Sequence, residues 1–220
     1  AFLAACGQDE TLRPALDRWR GMRVSAGESL YEYLVIATVL QNATVRRTVQ
    51  MFANLFAAYG SQVTFDGKAL SAFWSAQEMA PVPEEDLRAL KLGYRAKTLL
   101  RQAQAFVAGT LNEAELRACS NERLKKSLLA LYGIGPASVW YLMFELFKRY
   151  DALDYLSPWE QKIYSRLLFD APLVDAPTIL REVNQRWGPW RMLAMHYLFE
   201  DLFWQRKHQP VAWLEELIRL

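Results

Sequence analysis

The residues around position 134 have the types and spacing of a phosphate-binding turn. Gly133, Ile134 and Gly135 follow a polar run that contains lysines, and Pro136 comes directly after them. Glycine allows positive φ and close backbone approach, and proline suits the first helical position because its missing N–H would have no acceptor there. A helix beginning at Pro136 would present free N–H groups and a positive dipole end to a phosphate oxygen. The alternative is an ordinary helix-to-helix turn with a glycine C-cap.

Carboxylates surround the start of a second predicted helix. Residues 157–160 read SPWE, a capping-box pattern with serine at the N-cap, proline at the first position and glutamate at the third. Glu160 would reach back to the backbone N–H of Ser157, because a side chain at this position leans toward the helix N-terminus. Asp154 lies three residues before the cap, and Asp151 is interpreted as a solvated loop charge. The alternative for Glu160 is a cap residue with no chemical role.

Helices must position these residues. Apolar residues recur at helical spacing from Leu30 to Tyr59, interrupted by Gln41 and Asn42, which predicts two helices with a polar junction. Further helices are predicted from residue 84 and over residues 94–107, 121–131, 136–148, 157–169, 176–186, 190–204 and 210–219. No stretch alternates convincingly at period two, so we expect an all-α fold.

Composition limits the kind of protein. The 220 residues are 52% hydrophobic, which allows one large or two small domains with a buried core. A net charge of +2 gives no strong reason to expect a polyanionic partner, so any nucleic-acid role must rest on local geometry. Two cysteines, Cys6 and Cys119, can form neither a four-cysteine cluster nor a disulfide framework, and they fit a reducing intracellular setting. No apolar run reaches the ~20 residues that span a bilayer, and the two histidines, His196 and His208, do not suggest a metal site.

With its flanks, the turn at Ile134 resembles the helix-hairpin-helix motif of the DNA glycosylase superfamily (HhH-GPD), which includes endonuclease III, 8-oxoguanine glycosylase and the bacterial alkyladenine glycosylases. VLQNATVRRTVQMFANLFAAYG resembles the early helix pair of that superfamily. LKLGYRAKTLLRQAQAF resembles the stretch before the motif in the 8-oxoguanine and alkyladenine branches, and WGPWRMLAMHYLFE resembles the C-terminal helix of the alkyladenine branch. The resemblance runs in the expected order from Leu30 to Glu200.

The resemblance implies a two-lobed, all-α fold. Residues 1–27 would pack with helices 157–220 as one lobe, and residues 28–150 would form a central lobe that ends in the helix-hairpin-helix motif, 121–149. It further implies an intracellular monomer, without an iron–sulfur cluster or a membrane partner, that binds double-stranded DNA, extrudes a damaged base and releases it in a pocket. A weaker alternative is a helical protein-interaction module whose hairpin only turns a corner.

The hairpin takes its expected role from the same resemblance. Residues 133–135 would contact backbone phosphate through main-chain N–H groups, and in relatives the hairpin carbonyl oxygens can hold a monovalent cation, Na⁺ or K⁺. Lys125 and Lys126, one to two turns before the hairpin, would add phosphate contacts. The alternative for these lysines is a solvated helix face.

The resemblance places Gln41 or Asn42 near the gap left by the extruded base. A side-chain amide can read a base edge, which suits either residue to this position. The alternative is a polar helix junction in which Asn42 or Thr44 caps the following helix.

The catalytic position departs from the family pattern. Members that also cleave the DNA backbone carry a lysine just inside the helix after the hairpin, and Ala137 stands there in this chain, so we expect a monofunctional glycosylase. The family's aspartate, which stabilises an oxocarbenium-like sugar cation, falls on Ser157 in the endonuclease III register and on Glu160 in the alkyladenine register. We expect Glu160 to supply the carboxylate, with Asp154 in reserve and Trp159 lining the base pocket. The alternative is a catalytically silent relative that binds damaged or distorted DNA.

Overall fold

The structure is a computed structural model that describes residues 1–24 and 29–217. The chain divides into two compact units, one formed by residues 1–26 and 143–220 and the other by residues 27–142. The first boundary between the two units, at residues 26 and 27, lies outside the described residues. The boundary predicted at residues 27 and 28 also lies outside them. The last two residues of the helix predicted over residues 210–219 also lie outside them.

The described part of the chain is mostly helical, as predicted, with one two-stranded sheet. In chain order its elements are α1 (Phe2–Cys6), α2 (Arg13–Arg18), α3 (Leu30–Leu40), α4 (Val45–Tyr59), β1 (Ser61–Phe65), β2 (Lys68–Ala72), α5 (Ala76–Met79), α6 (Glu84–Ala89), α7 (Arg95–Val107), α8 (Glu113–Ala118), α9 (Asn121–Leu129), α10 (Pro136–Glu145), α11 (Pro158–Phe169), α12 (Ala176–Trp187), α13 (Arg191–His208) and α14 (Ala212–Leu217).

The unit of residues 27–142 is built around α3 and α7. Both helices bury apolar residues in one core, to which the segments from α4 to α6 also contribute. A buried polar pair crosses this core, where the side-chain amide of Gln102 donates to Thr38 Oγ1 at 3.0 Å. Because a buried polar group without a partner is costly, this bond fixes how α3 and α7 face each other. The core residues are Tyr31, Val35, Val39, Met51, Leu55, Trp74, Ala76, Met79, Leu87, Leu92, Ala96, Leu99 and Ala103.

The hairpin of β1 and β2 is a departure from the predicted all-helical pattern. Its two antiparallel strands pair Val63 with Leu70 and are joined by Asp66 and Gly67, which have φ of 49° and 70°. Two successive residues with positive φ form the turn type that matches strand twist, and Asp-Gly is its typical sequence. The strands are exposed and only five residues long, too short for their alternation to be distinguished from a loop.

In the other unit, the N-terminal segment is attached to the C-terminal helices by charged and aromatic side chains. The Asp9 carboxylate accepts from Arg186 Nη2 at 2.7 Å and from Trp187 Nε1 at 3.0 Å. The Asp201 carboxylate accepts from Trp19 Nε1 at 3.1 Å. These three bonds accompany apolar packing of the first helices against α12 and α13, so the N-terminal segment is part of this unit's core.

Several helix boundaries were predicted correctly, but the helix predicted over residues 121–131 ends at Leu129 and the one predicted over residues 190–204 continues to His208. The Leu30–Tyr59 region forms two helices that stop and restart around the predicted polar junction. The helix predicted over residues 136–148 ends earlier, at Glu145. Lys148 has a φ of 54°, and the N–H of Arg149 donates to the carbonyl of Met143 at 2.8 Å, a closing bond that the α-helical pattern does not contain.

Candidate functional site

The turn between α9 and α10 is a tight hairpin held from inside by Ile134. The Ile134 side chain is only 6% exposed, and its N–H donates to the carbonyl of Leu131 at 3.1 Å. Gly133 has a φ of 77°, and a Cβ added there would lie 2.5 Å from Thr98 Cγ2. The fold therefore requires glycine at position 133, both for its backbone conformation and for its close approach to α7.

Gly135 differs from Gly133. Glycine permits positive φ at both positions, but the structure has it only at Gly133. A Cβ added at Gly135 would meet nothing within 4 Å, so no internal contact explains the glycine. The carbonyl of Gly135 accepts the first helical bond of α10, from the N–H of Val139 at 3.0 Å. The N–H groups of Ala137 and Ser138 precede that bond, so α10 itself supplies no acceptor for them.

The Gln41 side chain is directed at this hairpin. Its Nε2 donates to the carbonyl of Gly133 at 2.8 Å and to Ser138 Oγ at 3.1 Å. Gln41 therefore joins the end of α3 to the first glycine of the hairpin and to the first turn of α10. With its amide committed to two acceptors, Gln41 supports the hairpin, a role that the sequence did not predict.

Asn42 and Tyr94 form an exposed surface beside Gln41. Asn42 has a φ of 46°, and its Nδ2 lies 3.5 Å from the hydroxyl of Tyr94, a residue that is 51% exposed. The buried Arg95 guanidinium donates to the carbonyl of Gln41 beneath them. The cap of α4 is Thr44, whose Oγ1 accepts from the next turn, so the Asn42 amide is not needed for capping. Tyr94 was missed by sequence analysis because nothing in the pattern distinguishes an exposed aromatic residue from a buried one.

The cations near the hairpin are not equivalent. The Lys125 ammonium lies 4.8 Å from the ring centroid of Trp140, whereas Lys126 is exposed on the next position of α9. Two cations that the sequence analysis did not select, Lys97 and Arg101, lie over the ring of Tyr132. A cation that contacts an aromatic ring is attracted to the ring face, which holds it at a fixed position on the protein surface.

The second predicted feature, the capping box at α11, is confirmed. The backbone N–H of Ser157 donates to Glu160 Oε2 at 2.9 Å, and the N–H of Glu160 donates to Ser157 Oγ at 3.3 Å. Glu160 is half-buried. Among the described residues, the only partner of its carboxylate is the Ser157 N–H, so Oε1 is available to a ligand.

Asp154 and Asp151 lie in the irregular segment that precedes α11. Both are exposed, and neither belongs to a helix. Trp159, 36% exposed, packs against α13, with its ring centroid 5.7 Å from that of Phe199 and 5.9 Å from that of Phe203. Its ring therefore has one part in the apolar cluster of the C-terminal helices and one part in solvent.

A group of ionisable side chains on α10 and α13 was missed at the sequence level. Burial raises the pKa of Glu145, the Glu200 carboxylate raises it further, and Lys148 opposes both effects. Burial, with a smaller contribution from Lys148, lowers the pKa of His196 to about 4, and the His196 ring packs 4.9 Å from that of Phe144. Glu145 and Lys148 are close in the sequence, as are His196 and Glu200, but nothing in the sequence pattern brings the first pair next to the second.

Tyr164 connects α11 to α13 below Glu160. Its buried hydroxyl donates to the carbonyl of Met195 at 3.3 Å. Burial raises the pKa of Tyr164, and the negative charges of Glu160 and Glu200 raise it further. The carboxylates of Glu160 and Glu200 therefore both act electrostatically on this buried phenol.

Neither a side-chain metal site nor a membrane span was found in residues 1–24 and 29–217. No group of three or more His, Cys, Asp and Glu side chains there could hold a metal ion. No helix within the same ranges is long and apolar enough to cross a membrane. Neither Cys6 nor Cys119 forms a disulfide with another described residue.

Comparison with known proteins identifies the family. The model of the HhH-GPD superfamily base excision DNA repair protein matches residues 35–211. The chain belongs to the HhH-GPD superfamily. The match includes the Gln41 and Asn42 junction, the hairpin at residues 133–135 and the α11 start at residues 157–160.

Individual HhH-GPD relatives are distant. The chain is 20% identical to a DNA-3-methyladenine glycosylase of Bacillus subtilis, over 92% of this chain and 67% of that protein. Its fold is similar to the crystal structure of the Clostridium acetobutylicum 8-oxoguanine glycosylase/lyase (TM-score 0.75, 22% identity, 89% of this chain and 68% of that one). It is also similar to Schizosaccharomyces pombe 3-methyladenine DNA glycosylase, Mag1, in complex with abasic DNA (TM-score 0.70, 20% identity, 95% of this chain and 97% of that one). The chain spans 57% and 39% of two further curated relatives.

Proposed function

We propose that this HhH-GPD chain is a monofunctional DNA N-glycosylase that extrudes a damaged base from double-stranded DNA and hydrolyses its bond to the sugar. The observation that supports the proposal is the position of the Glu160 carboxylate. Its carboxylate stands in the first turn of α11, where it accepts a hydrogen bond at one oxygen and keeps the other available. This is the position that the family's aspartate takes in the alkyladenine register of the sequence.

Phosphate binding is assigned to the hairpin. The open space at Gly135 and the N–H groups of Ala137 and Ser138 provide donors and room for one backbone phosphate. The carbonyl of Gly133 already accepts from Gln41, but a carbonyl oxygen has two lone pairs and can take a second partner. A Na⁺ or K⁺ ion shared by the hairpin carbonyls and the phosphate fits that second position.

Asn42 is the better of the two predicted amides for a contact with the opened duplex. Gln41 is occupied by the hairpin, whereas Asn42 is exposed and adjoins the exposed ring of Tyr94. Extrusion of a base leaves a partner base with unpaired edges and an empty place in the stack. The Asn42 amide can meet a base edge, and the Tyr94 ring offers a stacking surface.

The proposed reaction uses the carboxylate of Glu160 and does not need an amine nucleophile. As the bond between base and sugar breaks, positive charge develops on the sugar, and the negative charge of Glu160 stabilises it. Water adds to the anomeric carbon and gives up its proton to solvent by way of the Glu160 carboxylate. The electron pair of the broken bond leaves with the alkylated base and neutralises its positive charge, and an abasic site remains. Ala137 carries no amine in the first turn of α10, so no Schiff base with the sugar forms at that position.

The substrate proposed first is an alkylated purine. The Bacillus subtilis relative and Mag1 are named for 3-methyladenine. Position 137 lacks the lysine that a glycosylase/lyase uses as its nucleophile, so we do not expect lyase activity from this chain. The proposed reaction needs one element that binds DNA and one carboxylate that stabilises the sugar cation. A single chain supplies both, so we propose a catalytic monomer that acts on intracellular DNA.

Base release from defined duplexes tests the proposal. End-labelled duplexes with a single alkylated purine, hypoxanthine, uracil or 8-oxoguanine would be incubated with the protein, and alkali would cleave any abasic site. We expect alkali-dependent cleavage for at least one lesion, unchanged by Asp154→Asn. Loss of release in Asp154→Asn would move the carboxylate to the loop. Salt-sensitive binding with no release from any duplex would instead support the silent DNA-binding alternative.

A further inference from the structure

Tyr132, the residue before the hairpin glycine, carries two cations on its ring. The guanidinium carbon of Arg101 lies 4.1 Å from the ring centroid, and the ammonium of Lys97 lies 5.9 Å from it. Tyr132 itself is 46% exposed. One half-exposed aromatic ring thus gathers two positive charges at the edge of the hairpin.

The helix that carries both cations is in contact with the hairpin. Lys97 and Arg101 are four residues apart on α7, and Thr98, between them, is the side chain that excludes a Cβ at Gly133. In the sequence, only Gly133 and Ile134 separate Tyr132 from Gly135, where the proposed function places the phosphate. The cations, the ring and the hairpin glycine all belong to the same unit.

These two cations lack acidic partners in the described part of the chain. Helix α7 has three basic residues and no acidic one. Elsewhere in the same unit, Arg88 pairs with Glu84 at 2.6 Å and Arg117 pairs with Glu113 at 2.6 Å. Like charges four residues apart destabilise a helix, so the spacing of Lys97 and Arg101 is unfavourable unless a polyanion neutralises them.

We propose that Lys97, Arg101 and Tyr132 form a second phosphate-binding site, which takes the DNA backbone phosphate adjacent to the one held at the hairpin. The ring keeps the two cations next to each other, and the Tyr132 hydroxyl provides a further donor to a phosphate oxygen. The contact is independent of base sequence and positions the duplex on the hairpin. This inference rests on the proposed function, because it requires that the hairpin bind DNA.

Salt dependence of binding tests the site. A fluorescein-labelled duplex with a tetrahydrofuran abasic-site analogue would be titrated by anisotropy between 50 and 300 mM KCl. Replacing both cations, Lys97→Gln with Arg101→Gln, is expected to lower the magnitude of the slope of log K against log salt by about 0.9, the value for the one phosphate contact that is lost. Tyr132→Phe, which keeps the ring, is expected to keep the slope of the wild type.

A charge-matched control removes two cations that the inference does not use. Arg88→Gln with Arg117→Gln changes the net charge equally and should leave the slope unchanged, and circular dichroism would verify that every variant folds. An unchanged slope in the Lys97 and Arg101 double variant would overturn the second site, and the proposed function would stand if Gly135→Ala still weakens binding. An equal loss of slope in the control pair would also overturn it, since the effect would then be one of net charge. A wild type without salt-sensitive DNA binding would overturn both proposals.

Discussion

Ser157 and Glu160 exchange two hydrogen bonds, one from the Ser157 N–H to the Glu160 carboxylate at 2.9 Å and one from the Glu160 N–H to the Ser157 hydroxyl at 3.3 Å. The same pair of bonds joins Ser75 and Glu78 at the start of α5, in the other unit. The chain therefore contains its own control, a second Ser-x-x-Glu cap at a helix start to which no chemistry is assigned.

An aspartate at the cap should replace the carboxylate of Glu160. Aspartate caps a helix as well as serine does, so Ser157→Asp should leave α11 intact and present a carboxylate in the endonuclease III register. We expect Ser157→Asp to restore part of the base release that Glu160→Gln removes. Single-turnover rates of the double variant and of Glu160→Gln would be compared. Equal rates would show that position 157 does not face the sugar.

The two hairpin glycines should respond differently to alanine. At Gly133 the φ of 77° and the 2.5 Å approach to Thr98 make any side chain strained, so Gly133→Ala should lower the free energy of unfolding by about 1–3 kcal/mol. Gly135→Ala should change it by less than about 1 kcal/mol, because the added Cβ meets nothing. Gly135→Ala should still weaken DNA binding, because the methyl group occupies the space assigned to phosphate.

Urea unfolding and duplex titration of the same two variants would measure these effects. If Gly135→Ala binds an abasic duplex as tightly as the wild type, the phosphate does not lie over that residue.

Position 137 should decide whether a covalent intermediate forms. The wild type has no amine there, so borohydride should trap no protein on a duplex that contains an abasic site. Ala137→Lys, at an exposed position in the first turn of α10, is expected to give a trapped protein–DNA adduct. Gel electrophoresis of the reduced mixtures would detect it. Trapping by the wild type would show that another amine acts as a lyase nucleophile.

His196 should make the fold sensitive to acid. Its pKa is about 4 in the folded protein, against an ordinary value of 6.5, so the unfolded chain takes up the proton first as the pH falls. Stability from the neutral imidazole is complete above pH 6.5 and is lost as the pH falls toward 4, by up to roughly 3 kcal/mol. His196→Gln should therefore lose less stability than the wild type between pH 7 and pH 4.

Urea midpoints at several pH values would measure that difference, with His208→Gln, an exposed histidine, as the control. The same acid loss in His196→Gln as in the wild type would contradict the assignment.

Local signals in the sequence predicted the parts of the fold that depend on short-range chemistry. The SPWE cap, the break at Gln41 and Asn42 and the hairpin at Ile134 are each specified by residues within one or two turns, and the structure has all three. The exposed β hairpin was missed because its strands are short and its Asp-Gly turn was not distinguished from a loop.

Side-chain partners across long sequence distances were not predictable. The bond from Gln41 to Gly133 spans 92 residues, and the contacts of Lys97 and Arg101 with Tyr132 depend on how α7 packs against the hairpin. The environment of His196 likewise comes from α10 and α13 together. The sequence gives the residue type at each of these positions, but it does not show which residues lie next to it in the fold.

The carboxylate of Glu160 is proposed to promote cleavage of the bond between base and sugar, and a comparison of two glutamate variants with the wild type tests this role. Single-turnover release of an alkylated purine would be measured for the wild type, Glu160→Gln and Glu78→Gln. Glutamine can still accept from the backbone N–H of Ser157, so the fold and the affinity for an abasic duplex should persist while release falls by roughly 10²–10³-fold. Glu78→Gln should release the base like the wild type. Undiminished release by Glu160→Gln would contradict this role for the Glu160 carboxylate.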